Sequence, residues 1–211
     1  MSSSFNTCVI DVGSPKLGNI GWCLKYAADR EEQSGDCLNS LVDLIVDIAE
    51  DGPIILGLDA PLSVPIRDEL ILATKGRSGE GRRPWSAGAG AQVLAMNLPI
   101  MTYIFKRINS RNPTIKYFWH EQDFSQSPGS IFLFEALISG KDKGDSHIAD
   151  AKIMADYCHE FSKRGCFPSS ILEADPKTAY YLNLVAASLL SLGIIDDVNL
   201  IRSSVPIYKP S

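Results

Sequence analysis

Two short apolar runs in this chain end in a carboxylate, and a third acid sits inside a run of the same kind. Cys8-Val9-Ile10-Asp11 lies near the start, Ile54-Ile55-Leu56-Gly57-Leu58-Asp59 in the first third, and Ile131-Phe132-Leu133-Phe134-Glu135 past the middle. Runs of this length, rich in Ile, Val, Leu and Phe, read as buried strands. A charge in or at the tip of a buried strand is unfavourable unless something pairs with it. Three such acids point to carboxylates gathered at one place, and a divalent cation is the usual group that holds them together.

The rest of the chain supplies a frame for those strands. Residues 7–12 read as a strand. Gly21-Trp22-Cys23-Leu24-Lys25-Tyr26 is its hairpin partner, after the turn-rich Gly13-Ser14-Pro15-Lys16-Leu17-Gly18. Leu38, Leu41, Val42, Ile45, Val46, Ile48 and Ala49 repeat with helical spacing until Gly52-Pro53 stops them. Strand, hairpin, helix, strand is the order of a mixed α/β sheet. Further on, the pattern predicts a helix over 89–109, kinked or broken near Pro99. Strands follow at 114–119 and 131–137, then helices at about 146–163 and 177–192. The tail Val205-Pro206-Ile207-Tyr208-Lys209 fits an edge strand, where proline is tolerated. Residues 65–90 read as an insertion or flexible loop. Within it, Lys75, Arg77, Arg82 and Arg83 stand among glycines with almost no apolar neighbours.

With 211 residues, 45% hydrophobic and 21% charged, the chain has the composition of one folded domain over 1–211. A net charge of −5 gives no global attraction to nucleic acid, although a local basic patch suffices for an active site. The five cysteines are scattered without a Cys-x-x-Cys pair, which argues against a zinc ribbon or disulfide framework and suits a reducing cytosol. The start lacks the pattern of a signal peptide, and the longest apolar stretches, 91–105 and 182–195, fall short of the ~20 residues a membrane span needs. The expectation is therefore a cytoplasmic protein with no membrane partner.

Each candidate residue has a plain structural reading beside the chemical one. Asp11 and Asp59 can be strand-end acids that shape the following turn. Glu135, between Phe134 and Ala136, can be at an edge or paired with an arginine. His147 and Asp150 lie three apart near a helix start, which puts them on one face. Asp145 and Asp175 compete with Asp150, but helix capping accounts for both. Lys75, Arg77, Arg82 and Arg83, beside Trp85, are suited to phosphates and to stacking on a base, or are simply solvated.

Taken in order, these segments resemble the RNase H-like superfamily, and more narrowly a family of predicted RNase H-like nucleases known mainly as a domain of unknown function. Three segments carry the resemblance. They are Asp11 with Gly21-Trp22, then Gly57-Leu58-Asp59-Ala60-Pro61-Leu62, and finally Phe134-Glu135-Ala136-Leu137-Ile138-Ser139-Gly140 followed by His147-Ile148-Ala149-Asp150-Ala151. The last is also similar to the His-x-x-Asp-Ala of Holliday-junction resolvases. The resemblance implies an RNase H-like mixed sheet flanked by helices and a metal-dependent phosphodiester hydrolase acting on nucleic acid or another phosphodiester. One or two Mg²⁺ or Mn²⁺ ions would be held by Asp11, Asp59, Glu135 and Asp150, with His147 as proton shuttle or phosphate contact. Two alternatives share that fold. One is a nucleotide-binding phosphotransferase of the actin and sugar-kinase type, since Asp11-Val12-Gly13 with Gly18 and Gly21 looks like its first phosphate loop. The other is a catalytically inactive binding module. On the nuclease reading the three strand acids lie within about 4–8 Å of one another, because two-metal sites space their ions at ~4 Å. Asp150 is then the nearest fourth acid, His147 stands at the cleft margin, and the basic loop is exposed at the rim.

Overall fold

A computed structural model describes residues 4–28, 30–81, 84–138 and 143–210. The chain forms an α/β structure around a mixed, mostly parallel sheet. Strands β1 (Asn6–Asp11), β2 (Gly21–Lys25) and β3 (Gln33–Gly35) make an antiparallel meander. Helix α1 (Leu38–Asp51) then carries the chain back so that β4 (Ile54–Asp59) lies parallel to β1. Strand β7 (Ser130–Ala136) adds in parallel beyond β4. Its outer edge is shared by β6 (Lys116–Phe118) along the first half and β9 (Ile207–Tyr208) along the second. The order is β3-β2-β1-β4-β7-β6. A separate antiparallel pair joins β5 (Ser63–Ile66) to β8 (Tyr180–Asn183).

Both faces of the central strands are covered, which is why their sequences are almost continuously apolar. Cys8 and Ile10, Leu56 and Leu58, and Ile131 and Leu133 face a layer built by α1, α2 (Gly88–Arg111) and α4 (Leu184–Ser191). Val9, Ile55, Phe132 and Phe134 face α3 (His147–Ser162), through Ala151, Met154, Ala155 and Cys158. Gly57 lies under the Phe134 ring, where a Cβ would come within 2.3 Å of Cζ.

Most elements fall where the sequence pattern puts them. Helix α2 nevertheless continues through Pro99 without a break. The helix expected over 177–192 is shorter: its first turn is β8, and α4 begins only at Leu184. Tyr180-Tyr181-Leu182 suits a strand beside β5, and the Asn183 side chain accepts the Ala186 N–H at 2.9 Å as the helix cap. The loop expected to be flexible over 65–90 is pinned by two buried arginines. Arg67 donates to the carbonyls of Leu72, Lys75 and Gly76 and meets Asp175 at 3.3 Å. Arg77 sits deeper and belongs to the site. Among the described residues, no helix is long and apolar enough to cross a membrane.

Candidate active site

Parallel pairing places Asp11 directly opposite Asp59. Neighbouring strands run about 4.8 Å apart, so the two side chains project side by side from the carboxyl ends of β1 and β4. Alternation fixes the face. Asp11 follows Val9 and Asp59 follows Ile55 and Gly57, so both acids point to the α3 side. The antiparallel neighbour of Asp11 is Gly21, and a Cβ there would lie 2.3 Å from the His147 carbonyl carbon. Only glycine lets the start of α3 settle onto the sheet at this point, and that contact delivers His147. Its Nδ1 stands 2.5 Å from Asp11 Oδ2.

Burial sets the electrostatics of the pair. Asp11 is 3% exposed, and burial raises its pKa above 3.8 even though His147 and Lys143 pull it down. Asp59 keeps an opening to the cleft, yet protein encloses its carboxyl closely enough that burial dominates. Burial first, then repulsion from Asp11, hold it well above the ordinary aspartate value. The Ile138 N–H donates to Asp59 Oδ1 at 3.3 Å and offsets part of this. Like charges in one poorly hydrated place resist ionising together.

Asp150 stands one turn into α3 and is buried, but its oxygens are engaged elsewhere. Oδ1 accepts the Gly144 N–H at 2.5 Å, and Oδ2 lies 3.4 Å from Lys143 Nζ. Its charge reaches Asp11, whose pKa it raises. Contrary to expectation, His147 rather than Asp150 touches a strand acid. Ser146 caps the helix, accepting the Ala149 N–H, while Asp145 is exposed. Asp175 holds Arg67 and the Lys177 N–H, the structural role weighed for it.

Glu135 requires the larger correction, because the expected cluster of three strand acids sharing ions fails when it leaves the face of Asp11. Its register partner is Leu58, and it follows Ile131 and Leu133 on the other face of the sheet from Asp11 and Asp59. There it binds Arg77 through two bonds, Nη1 to Oε2 at 2.7 Å and Nη2 to Oε1 at 2.5 Å, and accepts the Leu62 N–H at 2.9 Å. Arg77 also bonds Glu80 at 2.6 Å and the Ser63 carbonyl at 2.9 Å. Burial raises the Glu135 pKa and Arg77 opposes it. Arg77, expected among exposed phosphate contacts, is 4% exposed and spends its fork on these internal partners. Lys75 is exposed and outside the cleft lining; Arg82 and Arg83 lie outside the described residues.

These groups surround one cleft of about 150 Å³. Its polar lining is Asp11, Asp59, Lys143 and His147 together with Arg77, Glu80 and Glu135, and Pro61, Trp85, Val93 and Ile138 are among its apolar lining residues. Lys143 was missed from sequence because a charged, glycine-containing loop reads as solvated; its only signal is its place four residues before His147. Glu80 was missed as well, since an acid in a basic loop looks like simple charge balance.

Among the described residues no three His, Cys, Asp or Glu side chains converge as a ready-made metal-holding group. The donors do differ in fitness for a cation. Asp11 and Asp59 are adjacent, enclosed and mutually repelling, and a positive ion would relieve that strain. Glu135 does not fit, because Arg77 and Leu62 already satisfy it. No protein-family model, curated protein or solved structure matches the chain, so the reading rests on fold and site.

Proposed function

We propose that this protein is an RNase H-like phosphodiester hydrolase that uses Mg²⁺ or Mn²⁺ held by Asp11 and Asp59. The observation that carries the reading is the side-by-side placement of these acids at the carboxyl ends of adjacent parallel strands, where open α/β sheets bind ligands. The antiparallel β1–β2 hairpin followed by parallel β4 and β7 supports the fold assignment.

The cation supplies a polarised water and a counter-charge for phosphoryl oxygens. Asp11 and Asp59 would hold it, and Asp150 adds negative field from behind. Asp11 orients His147 through Nδ1, leaving Nε2 to take or return a proton at the reacting oxygen. Lys143 offers its ammonium to the phosphate. The loop after β1 weighs against the phosphotransferase alternative. Its N–H groups at Leu17, Gly18 and Asn19 bond carbonyls of Ser14 and Pro15, so they are not turned to a phosphate.

Titration calorimetry with Mn²⁺ tests the assignment, alongside hydrolysis of bis(p-nitrophenyl) phosphate. Binding and turnover are expected in the native protein, lost in Asp11→Asn and Asp59→Asn, and binding retained in Glu135→Gln. Undiminished Mn²⁺ binding by Asp59→Asn, or none by the native protein, overturns the proposal.

A further inference from the structure

The cleft mixes charged and apolar walls: Arg77, Glu80 and Glu135 line it along with Asp11 and Asp59, and Trp85 stands half-buried among them. Trp85 is anchored by its indole N–H, which donates to the Lys75 carbonyl at 3.3 Å, and by the close fit of Gly90. A Cβ at Gly90 would lie 2.5 Å from the Pro84 carbonyl oxygen and 3.1 Å from the Trp85 Cα. The Arg77–Glu80–Glu135 network fixes the same loop from beneath. A fixed aromatic side chain lining the same cleft as Asp11, Asp59, Lys143 and His147 suits a ligand with a planar ring and a phosphate.

Size limits what is enclosed. A cavity of about 150 Å³ takes a single aromatic ring in a well-studied engineered case, so this cleft encloses only part of a nucleoside phosphate and leaves the rest at its open mouth. Asp11 is 3% exposed, so a phosphate reaches it only by entering the cleft with its substituent. Bases inside a duplex are stacked on one another and offer no face to Trp85 unless extruded. Nor does a net charge of −5 favour long contact with a polyanion.

Resting on the hydrolase reading, we infer that the substrate is a nucleoside phosphoester whose single base stacks on Trp85, free or at the end of a single strand, and not the flank of a duplex. The phosphate then meets Lys143 and His147 while the base stacks on Trp85.

Trp85 supplies its own probe. Trp22 and Trp119 are 4% and 5% exposed, with their N–H groups on the Cys37 carbonyl and the Ser203 hydroxyl. Acrylamide quenching therefore reports chiefly on Trp85. In the presence of Mn²⁺, adenosine 5′-monophosphate is expected to shield Trp85 and to bind about tenfold tighter than ribose 5-phosphate, the scale of one base–aromatic stack. Trp85→Leu should erase that difference and Trp85→Phe keep most of it. A single-stranded 12-mer binding tighter than the mononucleotide places the substrate at a strand end; equal binding places it free in solution. Equal affinity for adenosine 5′-monophosphate and ribose 5-phosphate overturns the inference, as does stronger shielding by a blunt 12-base-pair duplex. The Mn²⁺ titration separates the two readings. Mn²⁺ binding without nucleotide shielding rejects the stacking inference alone. Shielding without any response to Mn²⁺ rejects the hydrolase reading and leaves an aromatic phosphoester site.

Discussion

Replacing Glu135 separates a strand acid that braces the fold from one that holds a cation. In Glu135→Gln the amide oxygen can still accept one bond from Arg77, and Glu80 remains to balance the guanidinium. The loss is the difference between charge-assisted and neutral hydrogen bonds over two contacts, about 1–3 kcal/mol. In Arg77→Met, Glu135 and Glu80 are both left buried without their cation, and breaking a buried pair in this way costs about 3–5 kcal/mol. For a chain of this size each kcal/mol moves Tm by about 2–4 °C. The melting point should therefore fall by about 2–12 °C in Glu135→Gln and about 6–20 °C in Arg77→Met. The double variant removes both charges and should lose less than the sum, with a coupling of about 0.5–3 kcal/mol. Differential scanning calorimetry at pH 7 measures all three, and Mn²⁺ titration of each checks the site. A cation ligand behaves in the opposite way: its removal relieves repulsion, leaves Tm unchanged or raised, and weakens Mn²⁺ binding. If Glu135→Gln shows that pattern, the bracing role is wrong.

Three other outcomes follow from the same geometry. The raised Asp59 pKa means its stabilising contribution is whole below the unfolded value of 3.8 and is lost as pH rises through the folded value. Asp59→Asn should accordingly melt higher than the native protein at pH 8, with the gain shrinking toward pH 4; a constant difference across that range refutes the linkage. Mn²⁺ must displace any proton held on Asp59, so its affinity should climb with pH over the same interval, as titration calorimetry at pH 5, 6 and 7 would show. Gly21→Ala should push the start of α3 off the sheet, separating His147 from Asp11, with a stability loss of about 1–3 kcal/mol. Its hydrolytic rate should drop at least as far as that of His147→Ala, and an active Gly21→Ala would mean that this contact does not position the histidine.

Strands β1, β4 and β7, and the two aspartates that close the first two of them, were legible from their short apolar runs, whereas β3 and β5 were not foreseen and β8 was read as helix. Asp11 and Asp59 close their strands, and β1 and β4 pair from end to end, so position in the run translates directly into position in space. Glu135 was not legible in the same way. Strand β7 is buried on both faces, and a run without alternation does not say which side a residue takes. Register decides it, since a shift of one residue exchanges the faces. Arg77 gave no sign of burial for a related reason. The residues around it are glycine and charge, the composition of a solvated loop, and its partners lie 58 and 3 positions away. Tyr180-Tyr181-Leu182 matched a helix pattern because the competing strand partner, β5, stands over a hundred residues earlier.

The division of the three acids between two faces bears on how many ions such a site holds. Two ions side by side carry four positive charges, and a buried site needs several free carboxylates to offset them. On the α3 side Asp11 and Asp59 are the acids turned to the cleft, while Asp150 is already shared with Lys143 and the Gly144 amide. On the other side Glu135 is bound to Arg77, so freeing it would strand a guanidinium in the core and release the loop that carries Trp85. The negative charge available without dismantling the fold is therefore that of one aspartate pair, which balances one divalent ion. A Mn²⁺ stoichiometry near one is the outcome this argument requires; a stoichiometry of two would show that Asp150 exchanges Lys143 for a cation.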